Sequence, residues 1–323
     1  MNIDTKDVVD NSIFNNKQVL SMLLMDRSTN KNIVWATNDY IHLGIAYSPQ
    51  NEITFDRITG ILAYVITPRV MKEKIKQSDR TRNRAEVFTP SWICNEQNNL
   101  IDEQWFGRSD VFNTAENKKW KTKKEKIIFP GKVGKTWQDY IRAKRMEITC
   151  GEAPYLVSRY DTVTGNTIQI CDRIGLLDRK LRIINENVID ESDWFLWVKK
   201  AYQSIYGYEY QGDNLLIARK NLLMTFIDNL VYKFNRQPTN NELKSIAYII
   251  SWNIWQMDGL TYTAPYSEME VKKEFEQLTL FGFEEEQKKE DIIPINKNAI
   301  PCVIRDWTNK CNLEYKSMLK RND

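Results

Sequence analysis

Apolar residues recur along this chain at two spacings, and the changes between them mark the elements. Val19-Leu-Ser-Met-Leu-Leu24 predicts a short helix, and Ile61-Leu-Ala-Tyr-Val-Ile66 predicts a buried strand. Between them, Asp39 to Ala46 alternates, which reads as a short strand or ordered segment with His42 as a partly buried structural residue. Val87-Phe-Thr-Pro90 reads as extended, and Pro90 opens a helix that runs through Leu100. Further helices are predicted from Trp194 to Ile205 and, behind the cap in Pro238-Thr-Asn, from Asn241 to Trp252. The densest signal is Tyr206-Gly-Tyr-Glu209. It is a short apolar strand ending in one acid, followed by an amphipathic helix with Leu215, Leu216, Ala218, Leu222 and Leu223 on one side. In nucleoside-binding α/β folds a carboxylate at that place accepts hydrogen bonds from ribose hydroxyls. Upstream, Glu147 stands four residues before Gly151 at a second strand-to-loop turn.

These elements predict an α/β fold, a doubly wound, mostly parallel sheet with helices on both faces and a ligand crevice at the carboxyl ends of the strands. The expected organisation is an N-terminal extension (1–80), an α/β domain (81–266) with a basic insertion at 105–145, a charged linker rich in Lys and Glu (267–298), and a tail (299–323) containing Trp307. The 323 residues are 42% hydrophobic and 28% charged, which fits a water-soluble chain with a core. There is no apolar run of membrane-spanning length, and the first residues lack the pattern of a signal peptide, so no membrane contact and a cytoplasmic location are expected.

Cysteine and histidine usage removes several chemistries. Cys94, Cys150, Cys171, Cys302 and Cys311 form no C-x-x-C pair, so structural zinc and a disulfide framework are not expected. Cys302 and Cys311 are close enough in sequence to pair, but two reduced thiols are the simpler reading. With one histidine, a multi-histidine metal site is excluded, and a His-dependent triad would have to use His42. No metal ligands are assigned.

The net charge of +3 says little, but its distribution says more. From Arg108 to Arg145 there are twelve Lys or Arg against four Asp or Glu, with Trp105, Phe106, Trp120, Trp137 and Tyr140 within or beside the run. A second basic run spans Lys72 to Arg84. Such a pattern suits phosphate contacts and base stacking on nucleic acid, or else a solvated surface insertion.

Three segments, in order, carry a resemblance. Glu86-Val-Phe-Thr-Pro90 resembles the G-E-V-F-T-P segment of gamma-type adenine-specific DNA methyltransferases, enzymes of restriction–modification systems. Glu147-Ile-Thr-Cys-Gly151 resembles their D-P-A-C-G cofactor segment, and Tyr206-Gly-Tyr-Glu209 with Ile217-Ala-Arg-Lys-Asn-Leu222 resembles the strand and helix that follow it. The chain also looks like proteins called restriction endonuclease subunit M. The resemblance implies a Rossmann-like S-adenosylmethionine-dependent methyltransferase fold, S-adenosylmethionine as cofactor and DNA as partner. It implies that Phe88, Thr89 and Pro90 close over the methionine part and that Glu147 meets its ammonium. Cys150 would belong to the cofactor site, Gly151 would let the backbone approach, Glu209 would hold the ribose, and Asp258 would accept from the adenine amino group unless Asp258-Gly259 is an ordinary turn.

The chain departs from the family at the catalytic tetrad N-P-P-Y, whose Asn and Pro accept from the target amine while Tyr stacks on the flipped base. The nearest remnant is Thr263-Ala-Pro-Tyr266, which makes Pro265 and Tyr266 weak catalytic candidates. Glu152 replaces a small residue and would either help to bind a cation or face solvent. An insertion from Asp161 to Asn187 carries a basic-apolar stretch, Arg173 to Arg182, suited to DNA or a partner subunit. In the linker, Gln277, Leu278, Leu280 and Phe281 resemble a sliding-clamp docking peptide, or form an apolar patch that packs on the chain itself. The leading expectation is adenine-N6 methylation of DNA. The alternative is a degenerate methyltransferase-fold subunit that binds DNA or cofactor beside a restriction or second methyltransferase subunit. A metal-dependent nuclease ranks last, since no carboxylate cluster with the required spacing is evident.

Overall fold

The computed structural model describes residues 16–72, 89–267 and 299–319. Chain order runs through helix α1 (Lys17–Leu24), helix α2 (Ser91–Phe106), hairpin strands β1 (Asn113–Glu116) and β2 (Lys119–Thr122), helix α3 (Trp137–Arg142) and strand β3 (Arg145–Glu147). It continues through α4 (Leu176–Asn187), α5 (Glu191–Gln203), β4 (Ile205–Glu209), α6 (Gly212–Phe234), α7 (Asn240–Asn253) and β5 (Ile254–Gln256). A second hairpin, β6 (Val303–Asp306) and β7 (Cys311–Glu314), and helix α8 (Tyr315–Leu319) follow.

The chain is mixed α/β. Strands β3, β4 and β5 form a parallel three-stranded sheet with β4 in the middle. Parallel neighbours need crossovers, and α4–α5 and α6–α7 supply them. All five residues of β4 are buried, as a central strand covered on both faces requires. Among the described residues the strand order follows the chain without reversal, whereas the expected doubly wound sheet needs one.

Local signals set most helix ends. Asn16 caps α1, Gly107 closes α2 in the left-handed region, and Thr239 with Glu242 forms a reciprocal cap on α7. Along α6, from Gly212 to Thr225, every residue is buried, so this helix is the axis around which the rest packs. The N-terminal segment joins the same core: Val19, Leu20, Leu23, Leu24, Ile33 and Trp35 pack in one cluster with Leu215, Leu222 and Ile250. It is pinned to the sheet by Gln256, whose side chain accepts from Val34 N–H and donates to the carbonyls of Val34 and Tyr210. At the start of α6 only glycine fits, because a Cβ on Gly212 would lie 2.0 Å from the Val34 carbonyl oxygen. The C-terminal hairpin covers Tyr206, Tyr208 and Trp255, and Trp307 Nε1 donates to Asn253 Oδ1 at 2.7 Å.

Several expectations fail on physical grounds. Residues 61–66 are not a strand. A 3-10 turn at Gly60–Leu62 leaves Ile61 fully exposed, and only Ile66 enters the core. The Ile41–Leu43 segment is likewise a 3-10 turn, and His42 is exposed rather than partly buried. The insertion's aromatics largely serve its own packing: Trp105, Phe106, Phe129 and Tyr140 meet ring against ring, and Trp137 packs on Trp197. Trp120 Nε1 donates to the Asp172 carbonyl. The lysines between them, including Lys118, Lys119, Lys121 and Lys124, remain exposed. The basic-apolar stretch became α4, and its cations turn inward. Arg179 pairs with Asp102 at 2.5 Å, and Lys180 Nζ donates to the carbonyls of Ile141 and Ala143 and to Ser204 Oγ. Burial pulls the Lys180 ammonium well below the ordinary lysine range.

Candidate functional site

Parallel strands send their carboxyl ends to one side of a sheet, and loops leaving there enclose a natural crevice. In this chain β3 ends at Glu147 and β4 at Glu209, side by side, and β5 ends just before Met257. The crevice among them has a volume of about 690 Å³. Of the residues singled out in the sequence, Thr89, Glu147, Cys150, Gly151 and Glu209 line it.

The loop after β3 is held in an unusual shape. Thr149, Gly151 and Ala153 have φ of 46°, 53° and 64°, in the left-handed region. Glycine adopts that region freely, but a β-branched threonine does so at a cost. Such outliers concentrate at ligand sites. Cys150 N–H donates to the Tyr208 carbonyl at 2.8 Å, which ties the loop to β4. The Glu209 carboxylate clamps it further, with Oε2 accepting from Gly151 N–H at 2.9 Å and Oε1 accepting from Gln211 N–H at 3.0 Å. One side chain therefore orients both the glycine loop and the entry to α6.

Glu147 is held differently. It is buried, its Oε1 accepts a long bond from Tyr155 N–H at 3.4 Å, the Leu156 amide is a further backbone donor to the carboxyl group, and Oε2 has no partner among the described residues. Burial, and to a lesser extent the neighbouring Glu209 charge, raise its pKa well above the carboxylate range. Burial likewise pushes up the Cys150 thiol, helped by both glutamates. Among the described residues lining the crevice there are two carboxylates and no Lys, Arg or His. Tyr155, Tyr208 and Tyr210 add aromatic wall, and Asn214 and Gln211 add amide groups.

Other candidates fall elsewhere. Pro90 occupies the cap position of α2 and does not line the crevice, although Thr89 beside it does. Met257 and Gly259 line it, but Asp258 between them does not. Its Oδ1 instead accepts from Leu260 N–H at 2.8 Å and Thr261 N–H at 3.3 Å, the ordinary turn. Pro265 and Tyr266 lie outside the lining as well, in a turn where Tyr266 has φ of 56°. Glu152 neither faces solvent nor lines the crevice. It is buried, and accepts from Tyr160 Oη at 2.5 Å and Arg69 N–H at 2.6 Å. Phe88 and the segment Gln277, Leu278, Leu280 and Phe281 lie outside the described residues.

Sequence reasoning missed the three tyrosines, Gln211, Asn214 and Met257. Tyr208, Tyr210, Gln211 and Asn214 flank Glu209 within five residues, so the strand-end acid itself was the available signal. Among the described residues no group of three or more His, Cys, Asp or Glu is arranged to hold a metal, and no helix is long and apolar enough to cross a membrane. Comparison with protein-family models, with curated proteins and with solved structures found no match.

Proposed function

We propose that the crevice binds S-adenosylmethionine and that the chain serves adenine-N6 methylation of DNA, on a Rossmann-like methyltransferase fold. The observation that carries this reading is the pair Glu147 and Glu209, at the carboxyl ends of adjacent parallel strands around a strained glycine loop, with no basic side chain among the described lining. A crevice lined by two carboxyl groups and no described base suits a ligand with an ammonium and a sulfonium, whose positive charge favours the ionised form of Glu147. The residues fit such a ligand on three counts. Oε2 of Glu147 has no partner among the described residues, so an opposite charge there would answer it. Glu209, fixed by two backbone donors, sits where ribose hydroxyls are accepted in nucleoside folds. Gly151 keeps the loop free of a Cβ.

The cofactor, when bound, supplies an electrophilic methyl group. The chain's own part is to orient and exclude. Glu147 and Glu209 would fix the two ends of the ligand, and Tyr155, Tyr208 and Tyr210 would shield it from water. The exposed lysines of the β1–β2 hairpin would meet phosphates of the duplex.

A second reading, a degenerate subunit that binds cofactor or DNA beside a catalytic partner, is favoured by one observation: Pro265 and Tyr266, the remnant of N-P-P-Y, do not line the crevice. Transfer of a radiolabelled methyl group to unmethylated duplex DNA separates the two. Transfer by the isolated chain that survives Tyr266→Ala supports the enzyme and removes the remnant from its mechanism. Absence of transfer alongside retained cofactor binding supports the subunit.

A further inference from the structure

Apart from the crevice, α6 and the connection from β3 to α4 enclose a second cavity of about 500 Å³. Two guanidiniums line it, Arg159 and Arg173, and their side chains are only 7% and 8% exposed. Both lean on the same oxygen. Arg159 Nε donates to Asp228 Oδ2 at 3.0 Å, and Arg173 Nη2 donates to it at 2.7 Å. The Nη1 group of each arginine is buried and has no partner among the described residues. Among the described lining residues Asp228 is the one acid.

The imbalance has a direct physical meaning. Arginine does not shed its proton in a protein. Within the lining, two guanidiniums therefore share one carboxylate, and the further acid that the Arg173 charge reaches, Asp178, lies outside the lining and has its pKa raised by burial, which weakens its answer. Each buried N–H without an acceptor adds a desolvation cost. Buried charge kept at such a cost calls for a counterion.

We propose that this cavity is a binding site for a phosphoryl group, held by Arg159 and Arg173. The planar forks of two guanidiniums match the oxygens of a phosphate. Thr167, Gln169, Tyr232 and Gln237 also line the cavity and carry neutral donor groups. The cavity is larger than an inorganic ion requires, which points to a phosphate ester carried on a larger molecule. The site stands independently of any cofactor in the crevice.

The test is titration of the full chain with inorganic phosphate, followed by thermal unfolding at ionic strength matched with chloride. Arg173→Gln should bind phosphate about tenfold more weakly, the worth of a lost charge-assisted hydrogen bond. Asp228→Asn removes the competing carboxylate and should bind about tenfold more tightly. That gain cannot arise from a damaged fold, so it guards against Arg173→Gln simply failing to fold. Equal phosphate response in wild type and Asp228→Asn, or a response that chloride reproduces, overturns the proposal. Glycerol 3-phosphate and a short DNA duplex then identify the source. A response to the monoester that requires Arg173 assigns a small phosphorylated molecule, and one confined to the duplex assigns the nucleic-acid backbone.

Discussion

The carboxylates of Asp102 and Glu147 are both buried, but the structure answers them in opposite ways. Asp102 accepts from Arg179 at 2.5 Å and from Tyr140 Oη at 2.6 Å, and Arg179 is in turn held by Asn95 and Asn99. Glu147 has only backbone donors, Tyr155 at a long 3.4 Å and Leu156, an oxygen with no partner among the described residues, and another carboxylate as the charge beside it. The first arrangement is a polar network that fixes α2 against α4 and leaves only Nε of Arg179 without a partner among the described residues. The second keeps a charge-bearing group poorly answered at the mouth of a crevice. A carboxyl group of the first kind belongs to the fold, and one of the second kind is what the proposed cofactor site rests on.

The sharpest way to break this contrast is to open the Asp102 network. Arg179→Met leaves Asp102 buried without its cation and should cost roughly 3–5 kcal/mol in urea unfolding. A loss no larger than that of a surface substitution would put the two regions on the same footing.

Glu147→Gln probes the other side, with a smaller effect that depends on pH. Because the folded-state pKa of Glu147 is raised, the unfolded chain gives up this proton first. Its contribution to stability is complete below the ordinary glutamate value of 4.5 and is lost as pH rises toward the folded value. The variant should therefore gain on the wild type as pH rises from about 4 toward neutrality. A melting-temperature difference that stays flat across that range would mean that the carboxyl is not perturbed.

The smallest effects belong to a solvated counterpart, the cap of α7. Thr239→Ala removes the acceptor for Glu242 N–H and should cost about 1 kcal/mol in the same unfolding assay. Its partner Glu242 is held down to about 2, chiefly by a hydrogen bond from Arg236. That stabilisation is present above the unfolded value of 4.5 and is lost as pH falls toward 2. Solvent screening at this partly exposed site keeps it well below the Arg179 effect.

What could be read in the sequence follows the range of the interactions involved. Helices α1, α5, α6 and α7 were legible because apolar spacing and caps act within a few residues. Glu147, Gly151 and Glu209 were legible because a strand-end acid and a turn glycine are local signals too. The inward cations of α4 were not, since Arg179 finds Asp102 77 residues away, and nothing near Arg179 distinguishes it from a surface arginine. The docking of Val34 on Gln256 is longer still, at 222 residues. Asp258 was legible only as a ligand or a turn, and the 61–66 segment failed, for another reason. A carboxylate before glycine serves a turn as readily as a ligand, and a short apolar run does not fix its own backbone.

The most direct test of the crevice is calorimetric titration of S-adenosylmethionine into the wild-type chain and into Glu209→Ala. Binding in the micromolar range, about −8 kcal/mol, that disappears in the variant is the predicted result. No heat of binding from a wild-type chain shown to be folded would contradict the cofactor site.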